Sequence, residues 1–230
     1  MMHKLTDART VIHFNGVPVN VRPIFWIAPP TMWLMLTWLA GKRRPERSLG
    51  QRLLVALLGL PFPFLADVGH ALAHTESAKR AGAPMDQVLL SLDMPRTLYN
   101  NNDVTPAIHR QRSLGGPIYS AASLLGSLLW RALSAPDSLS RELADIACLS
   151  HGFILTGALL PLPIVDGGVI LKWTLVEQGY TPEDANAVVK KAGVLSLALL
   201  SGVITWLLWS RREAIRRFWA ANGRTPNDPV

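Results

Sequence analysis

Five apolar blocks, each close to the length that crosses a lipid bilayer, constrain this chain more than any other feature. They cover residues 23–41, 53–74, 114–135, 143–165 and 192–209. About 20 helical residues, rising 1.5 Å each, span the roughly 30 Å hydrocarbon core. Nearly half of the 230 residues are apolar and only 17% are charged. A soluble domain would spread its apolar residues at helix or strand period instead of gathering them in runs. Charges intrude at Asp67, Arg131 and Asp145. The expectation is an all-α integral membrane protein with about five transmembrane helices, multi-pass, in the cell membrane.

A net charge of +7 raises the question of nucleic acid. The basic residues, however, flank the apolar blocks, in Lys42-Arg43-Arg44 and in Arg211-Arg212 followed by Arg216-Arg217. There they suit lipid headgroups, and no nucleic-acid recognition motif accompanies them. Several of the eight Trp residues, among them Trp26, Trp38, Trp130, Trp206 and Trp209, sit at block ends as in an interfacial belt. The single cysteine, Cys148, excludes an intramolecular disulfide and a Cys-based zinc knuckle. Residues 1–9 are polar and the first block is long and late, so no cleavable signal peptide is expected.

Three regions follow: an N-terminal segment (1–22), a transmembrane domain (23–209) and a basic tail (210–230). Asn15-Gly16 between alternating residues predicts a hairpin of strands 11–14 and 17–21, with Pro18 marking the second as an edge. Pro61 and Pro63 interrupt the second block. Residues 75–112 read as loop apart from a strand at 87–92. Gly115-Gly116-Pro117 reads as the opening of the third span. Residues 169–178 are expected to be helical, and Thr181-Pro182-Glu183-Asp184 caps a further helix. No internal repeat is visible.

Ionisable residues inside spans are costly and point to function. Asp67, His70 and His74 are spaced three and four apart on one helical face, at the exit end of the second block. Asp166 closes the fourth. If all five blocks cross, both exits lie on one side of the membrane, so these residues can meet. Imidazole nitrogens and a carboxylate suit zinc, and three such ligands leave a fourth position for water that the metal acidifies. Simpler roles exist: Asp67 and His70 as a polar pair between helices, His74 as an interfacial histidine, Asp166-Gly167-Gly168 as a helix-ending turn. His109 and His151 have no partner at metal spacing and are read as surface or packing residues.

The segments Gly69-His70-Ala71-Leu72-Ala73 and Pro161-Leu162-Pro163-Ile164-Val165-Asp166-Gly167-Gly168 resemble the site-2 protease family, the intramembrane zinc metalloproteases. Gly116-Pro117-Ile118-Tyr119-Ser120 is similar to the family's Gly-Pro-x-x-Asn element, and Gly16-Val17-Pro18-Val19-Asn20-Val21 to its strand before the first span. The resemblance implies a site-2-protease-like core, a zinc cofactor, and transmembrane segments of other membrane proteins as substrates or clients. It covers roughly residues 10–205.

The family's His-Glu-x-x-His motif is altered here. Carried over directly, its second His falls on His70 and its Asp ligand on Asp166, while its first His falls on Ala66 and its Glu on Asp67. A register shifted by one turn makes His70 and His74 the pair, with Asp166 as third ligand; the base position is then Ala71, and Asp67 is the one carboxylate nearby. The function expected by resemblance is a membrane metallopeptidase homologue using zinc-activated water, with Asp67 as base. The alternative is a pseudoprotease that binds transmembrane clients without cutting them. A transporter using the polar residues as an ion path is a third reading, weakened by the absence of a repeat.

Overall fold

The structure is a computed structural model that describes residues 7–221. The last part of the basic tail, residues 222–230, lies outside the described residues, as do residues 1–6. In chain order the elements are β1 (Arg9–Phe14), β2 (Val17–Val21), a 3-10 turn (Pro23–Ile27), α1 (Ala28–Arg43), α2 (Leu49–Gly59), α3 (Pro61–Arg80), β3 (Gln87–Leu90) and β4 (Arg96–Leu98). Then follow α4 (Pro106–Leu133), α5 (Leu139–Leu159), α6 (Asp166–Glu177) and α7 (Pro182–Ala221).

Among the described residues, four helical stretches are long and apolar enough to cross a membrane: Pro23–Arg43, Leu49–Arg80, Leu139–Leu159 and Pro182–Glu213. The chain is a membrane protein. The third expected span falls in α4, which is not among the four. It begins at Pro106 rather than at Leu114, and runs straight through Gly115-Gly116-Pro117. Pro117 removes the N–H that would bond the Ser113 carbonyl. Packing on α3, α5 and α6 outweighs that loss. The side of α4 packed on its neighbours carries the buried polar residues His109, Arg112, Ser113, Ser120 and Ser127, while Ile118, Leu125, Leu129 and Leu133 are exposed. That polar side lowers the helix's mean hydropathy. At the other extreme, α7 packs chiefly on α6 and exposes apolar side chains from Val194 to Trp209, as a lipid-facing helix does.

The fourth block also ends earlier than expected. α5 stops at Leu159, Leu160–Val165 forms a turn, and Asp166 opens α6 instead of closing a span. Its carboxylate thus lies at the positive end of the α6 dipole. The second block breaks where Pro61 and Pro63 remove N–H donors: α2 ends at Gly59 and α3 starts at Pro61.

The hairpin is part of a larger sheet of order β1-β2-β3-β4. Asn15 and Gly16 take positive φ, at 51° and 82°, as a two-residue hairpin turn demands. β2 is not an edge. It pairs antiparallel with β1 and parallel with β3, the latter over Val19–Val21 against Val88–Leu90. Pro18 is tolerated because the ladder to β3 begins one residue after it. The expected strand at 87–92 is realised as β3, and β4 adds a strand within the stretch read as loop. Val17, Val19, Val21, Val88 and Leu90 pack on Ala71 and Ala78 of α3, with Val68 and Leu72 beside them. One side of α3 is thereby committed to the sheet, and the stripe carrying His70, His74 and Ser77 is left to face α4 and α6.

Candidate metal centre

Three side chains meet where α3, α4 and α6 converge. His70 Nε2 lies 3.0 Å from Asp166 Oδ2, His74 Nε2 lies 3.4 Å from Asp166 Oδ1, and the two Nε2 atoms are 3.4 Å apart. Zinc bonds to nitrogen and oxygen at about 2.0–2.1 Å, so the edge of a tetrahedral site is about 3.3 Å. The three separations fit that edge. All three side chains are largely buried, at 13%, 6% and 16% exposure for His70, His74 and Asp166.

The outer ring nitrogens are held as well. His74 Nδ1 lies 2.8 Å from the Arg112 carbonyl oxygen. A carbonyl only accepts, so Nδ1 donates to it, and Nε2 is the ring atom left to face Asp166 and His70. Ser77 donates to the same carbonyl at 2.9 Å. His70 Nδ1 meets Ser120 Oγ at 2.9 Å, and Ser120 is fully buried. Both second contacts come from α4. Ser120 falls on the Asn position of the Gly-Pro-x-x-Asn-like element, so a hydroxyl stands where the family resemblance implies an amide.

Gly116 is what lets α4 come this close. A Cβ there would sit 2.3 Å from His70 Nε2 and 2.5 Å from His74 Nε2. On the other wall, Gly168 presses on the Leu160–Val165 turn: its Cβ would lie 1.8 Å from the Leu162 carbonyl oxygen.

The structure brings together His70, His74 and Asp166, the set of the shifted register. It does not bring Asp67 into that cluster. Asp67 is one turn earlier on α3, about 4.5 Å along the axis from His70, and makes no hydrogen bond or ion pair among the described residues. Ala66, which falls on the first-His position of the direct register, is wholly buried and offers no donor atom. Ala71, at the base position of the shifted register, packs under the sheet.

A cavity of about 450 Å³ opens beside His74 and Asp166, and Tyr99, His109, Arg112 and Trp173 help to line it. His109 stacks on Trp173 with ring centroids 3.8 Å apart and planes at 3°. Burial pushes the Tyr99 hydroxyl up to about 12, with Arg112 opposing, so the ring stays neutral under the guanidinium. The sequence reading missed Arg112 and set His109 aside. The signal was a polar stripe at helical spacing, namely His109, Arg112, Ser113, Gly116, Ser120, obscured because residues up to 112 read as loop. His151 lies on α5, buried, with Tyr119 the ring nearest to it.

No protein-family model and no curated protein matches the sequence. Among solved structures, the site-2 protease from Methanocaldococcus jannaschii matches 97% of this chain and 98% of its own, with a TM-score of 0.51 and 16% identity. The chain has the fold of a site-2 protease. At this identity the likeness speaks for the architecture, and the chemistry has to be argued from the residues above.

The Ser120 contact gives a direct check on how the site is held. Ser120→Ala removes the group that fixes the His70 ring while leaving every candidate ligand in place. Losing such a support costs about 10–100-fold in metal affinity. Zinc titration against a chelating indicator should therefore give unchanged stoichiometry with a dissociation constant about 10-fold weaker. An unchanged constant would mean that Ser120 does not orient the ring.

Proposed function

We propose that this protein is a site-2-protease-like membrane metallopeptidase whose ligand set has moved one helical turn. His70, His74 and Asp166 hold zinc, and Asp67 serves as the base. The observation that carries this is the convergence of two Nε2 atoms and a carboxylate at tetrahedral spacing, with His74 Nδ1 engaged by a backbone carbonyl so that Nε2 is the atom turned to the centre. Zinc in this position would polarise a substrate carbonyl and acidify water. The protein's own part is to hold both imidazoles from α4, to seat Asp166 at the head of α6, and to keep the centre within the bundle. The substrates are transmembrane segments of other membrane proteins, by analogy with the fold, and the surrounding bilayer is the natural medium for them.

One observation favours a second reading, a pseudoprotease that retains clients uncut. The base position of the shifted register is Ala71, and Asp67 stands apart from the ligand cluster. Reconstituting the zinc-loaded chain with a fluorescent transmembrane reporter separates the two. The peptidase reading expects cleavage that slows about 10²–10⁴-fold in Asp67→Asn, the usual worth of a general base. Retention of an intact reporter by the wild type, with zinc bound, would establish the pseudoprotease. Cleavage unaffected by Asp67→Asn would remove Asp67 from the mechanism.

A further inference from the structure

Arg112 is a buried cation with no anion. It is 5% exposed and forms no ion pair among the described residues. Its Nε donates to the Ala83 carbonyl at 2.9 Å and its Nη1 to the Asn101 carbonyl at 3.3 Å, and its guanidinium carbon stands 4.3 Å from the centre of the Tyr99 ring. Nη2 makes no hydrogen bond among the described residues. Guanidinium stays charged at any physiological pH, and an unpaired buried charge is costly. Two neutral carbonyls and an aromatic face offset only part of that cost.

This charge is not isolated in the protein interior. Arg112 lines the cavity that His74 and Asp166 also line. On the same wall, His109 is held flat on Trp173 with its Nε2 buried and unpartnered. Asp166 is already taken up by both candidate metal-binding histidines, and Arg112 is not among its partners. A cation without an anion thus lines the cavity, and what is missing is an acceptor that carries negative charge. A planar carboxylate matches a single guanidinium fork. The cavity is large enough for the residue that carries the carboxylate, with Tyr99, Ile164, Val165 and Trp173 as walls for its apolar part.

We propose that this cavity is a carboxylate-binding subsite, in which Arg112 anchors an anionic group of a peptide next to the His70-His74-Asp166 centre. The group is either the free carboxylate at a chain end or the side chain of an acidic residue. The subsite sharpens the substrate class of the proposed peptidase, yet binding at it needs neither zinc nor cleavage. Its failure is therefore distinguishable from failure of the metal-centre reading.

The test uses the full-length chain in detergent with a chelator present, so that contact between carboxylate and metal contributes nothing. Binding of two probe pairs is measured by calorimetry: N-acetyl-alanyl-leucine against its amide, and N-acetyl-alanyl-glutamic acid amide against its glutamine counterpart. A charge-assisted hydrogen bond implies that the acid of at least one pair binds about 10-fold more tightly than its neutral partner. The pair that discriminates identifies the source of the carboxylate. Arg112→Gln should erase the difference. Arg112→Lys, which keeps the charge but not the planar fork, should keep part of it, and should lower the acid's advantage even if Arg112→Gln does not fold. Equal binding of acid and neutral probe in both pairs by the wild type would overturn the proposal. So would discrimination that survives Arg112→Gln.

Discussion

Gly116→Ala is expected to empty the metal centre. The added methyl would stand 2.3 Å from His70 Nε2, 2.5 Å from His70 Cε1 and 2.5 Å from His74 Nε2, well inside van der Waals contact. One of the rings would have to swing away, yet each is tied to the same helix that brings the methyl: His70 to Ser120, and His74 to the Arg112 carbonyl. Relief therefore breaks either a ring's support or the close packing of α3 on α4. Overpacking of this kind costs about 1–3 kcal/mol in stability, and the loss of ligand geometry adds to it. Zinc measured by mass spectrometry after gel filtration should fall from about one per chain to near zero, while Ile118→Ala, an exposed position on the same helix, leaves it unchanged. Full zinc occupancy in Gly116→Ala would mean that α4 does not form a wall of the site.

Gly168→Ala should be strongly destabilising. Its Cβ would lie 1.8 Å from the Leu162 carbonyl oxygen and 2.4 Å from the carbonyl carbon. Both are backbone atoms, and no rotamer change relieves the overlap. The turn is held by hydrogen bonds from Leu162 N to Leu160 O and from Val165 N to Leu162 O, at 2.8 and 3.2 Å. It can yield only by opening, which carries Asp166 with it. We expect a loss of about 3 kcal/mol or more, at or beyond the upper end of ordinary overpacking. It would be read as a fall of several degrees in thermal unfolding midpoint in detergent, together with loss of zinc. Gly126→Ala, where an added methyl meets nothing within 4 Å, is the control and should hold its midpoint. Equal behaviour of the two variants would contradict the packing described here.

Much of this was legible in the sequence for identifiable reasons. Apolar runs gave the lipid-facing helices because lipid selects for hydropathy alone. Asn15-Gly16 located the hairpin because only such residues accept its positive φ. The pairing of His70 with His74 was accessible from helical spacing, and that of Asp166 with them from the resemblance its segment carries. What stayed hidden was set by tertiary contact. The start of α4 was lost among Pro, Asn and charged residues that become helical in packing on α3, α5 and α6. Pro18 misled because the ladder to β3 starts beyond it. The choice between the two His registers needed the structure, since both Ala66-to-His70 and His70-to-His74 are spaced by four; only the second presents two imidazoles to Asp166. Arg112 was invisible as a site residue because its meaning lies in the absence of a partner, and a sequence does not display absences.

The zinc content of the purified protein tests the central claim most directly. The wild type should carry about one zinc per chain, and His70→Ala, His74→Ala and Asp166→Ala should each lose it while remaining folded. His74→Ala is the decisive member, because the direct register has no role for that residue. Zinc retained in His74→Ala, or a folded wild type that takes up no zinc when supplied with it, would contradict the shifted metal centre.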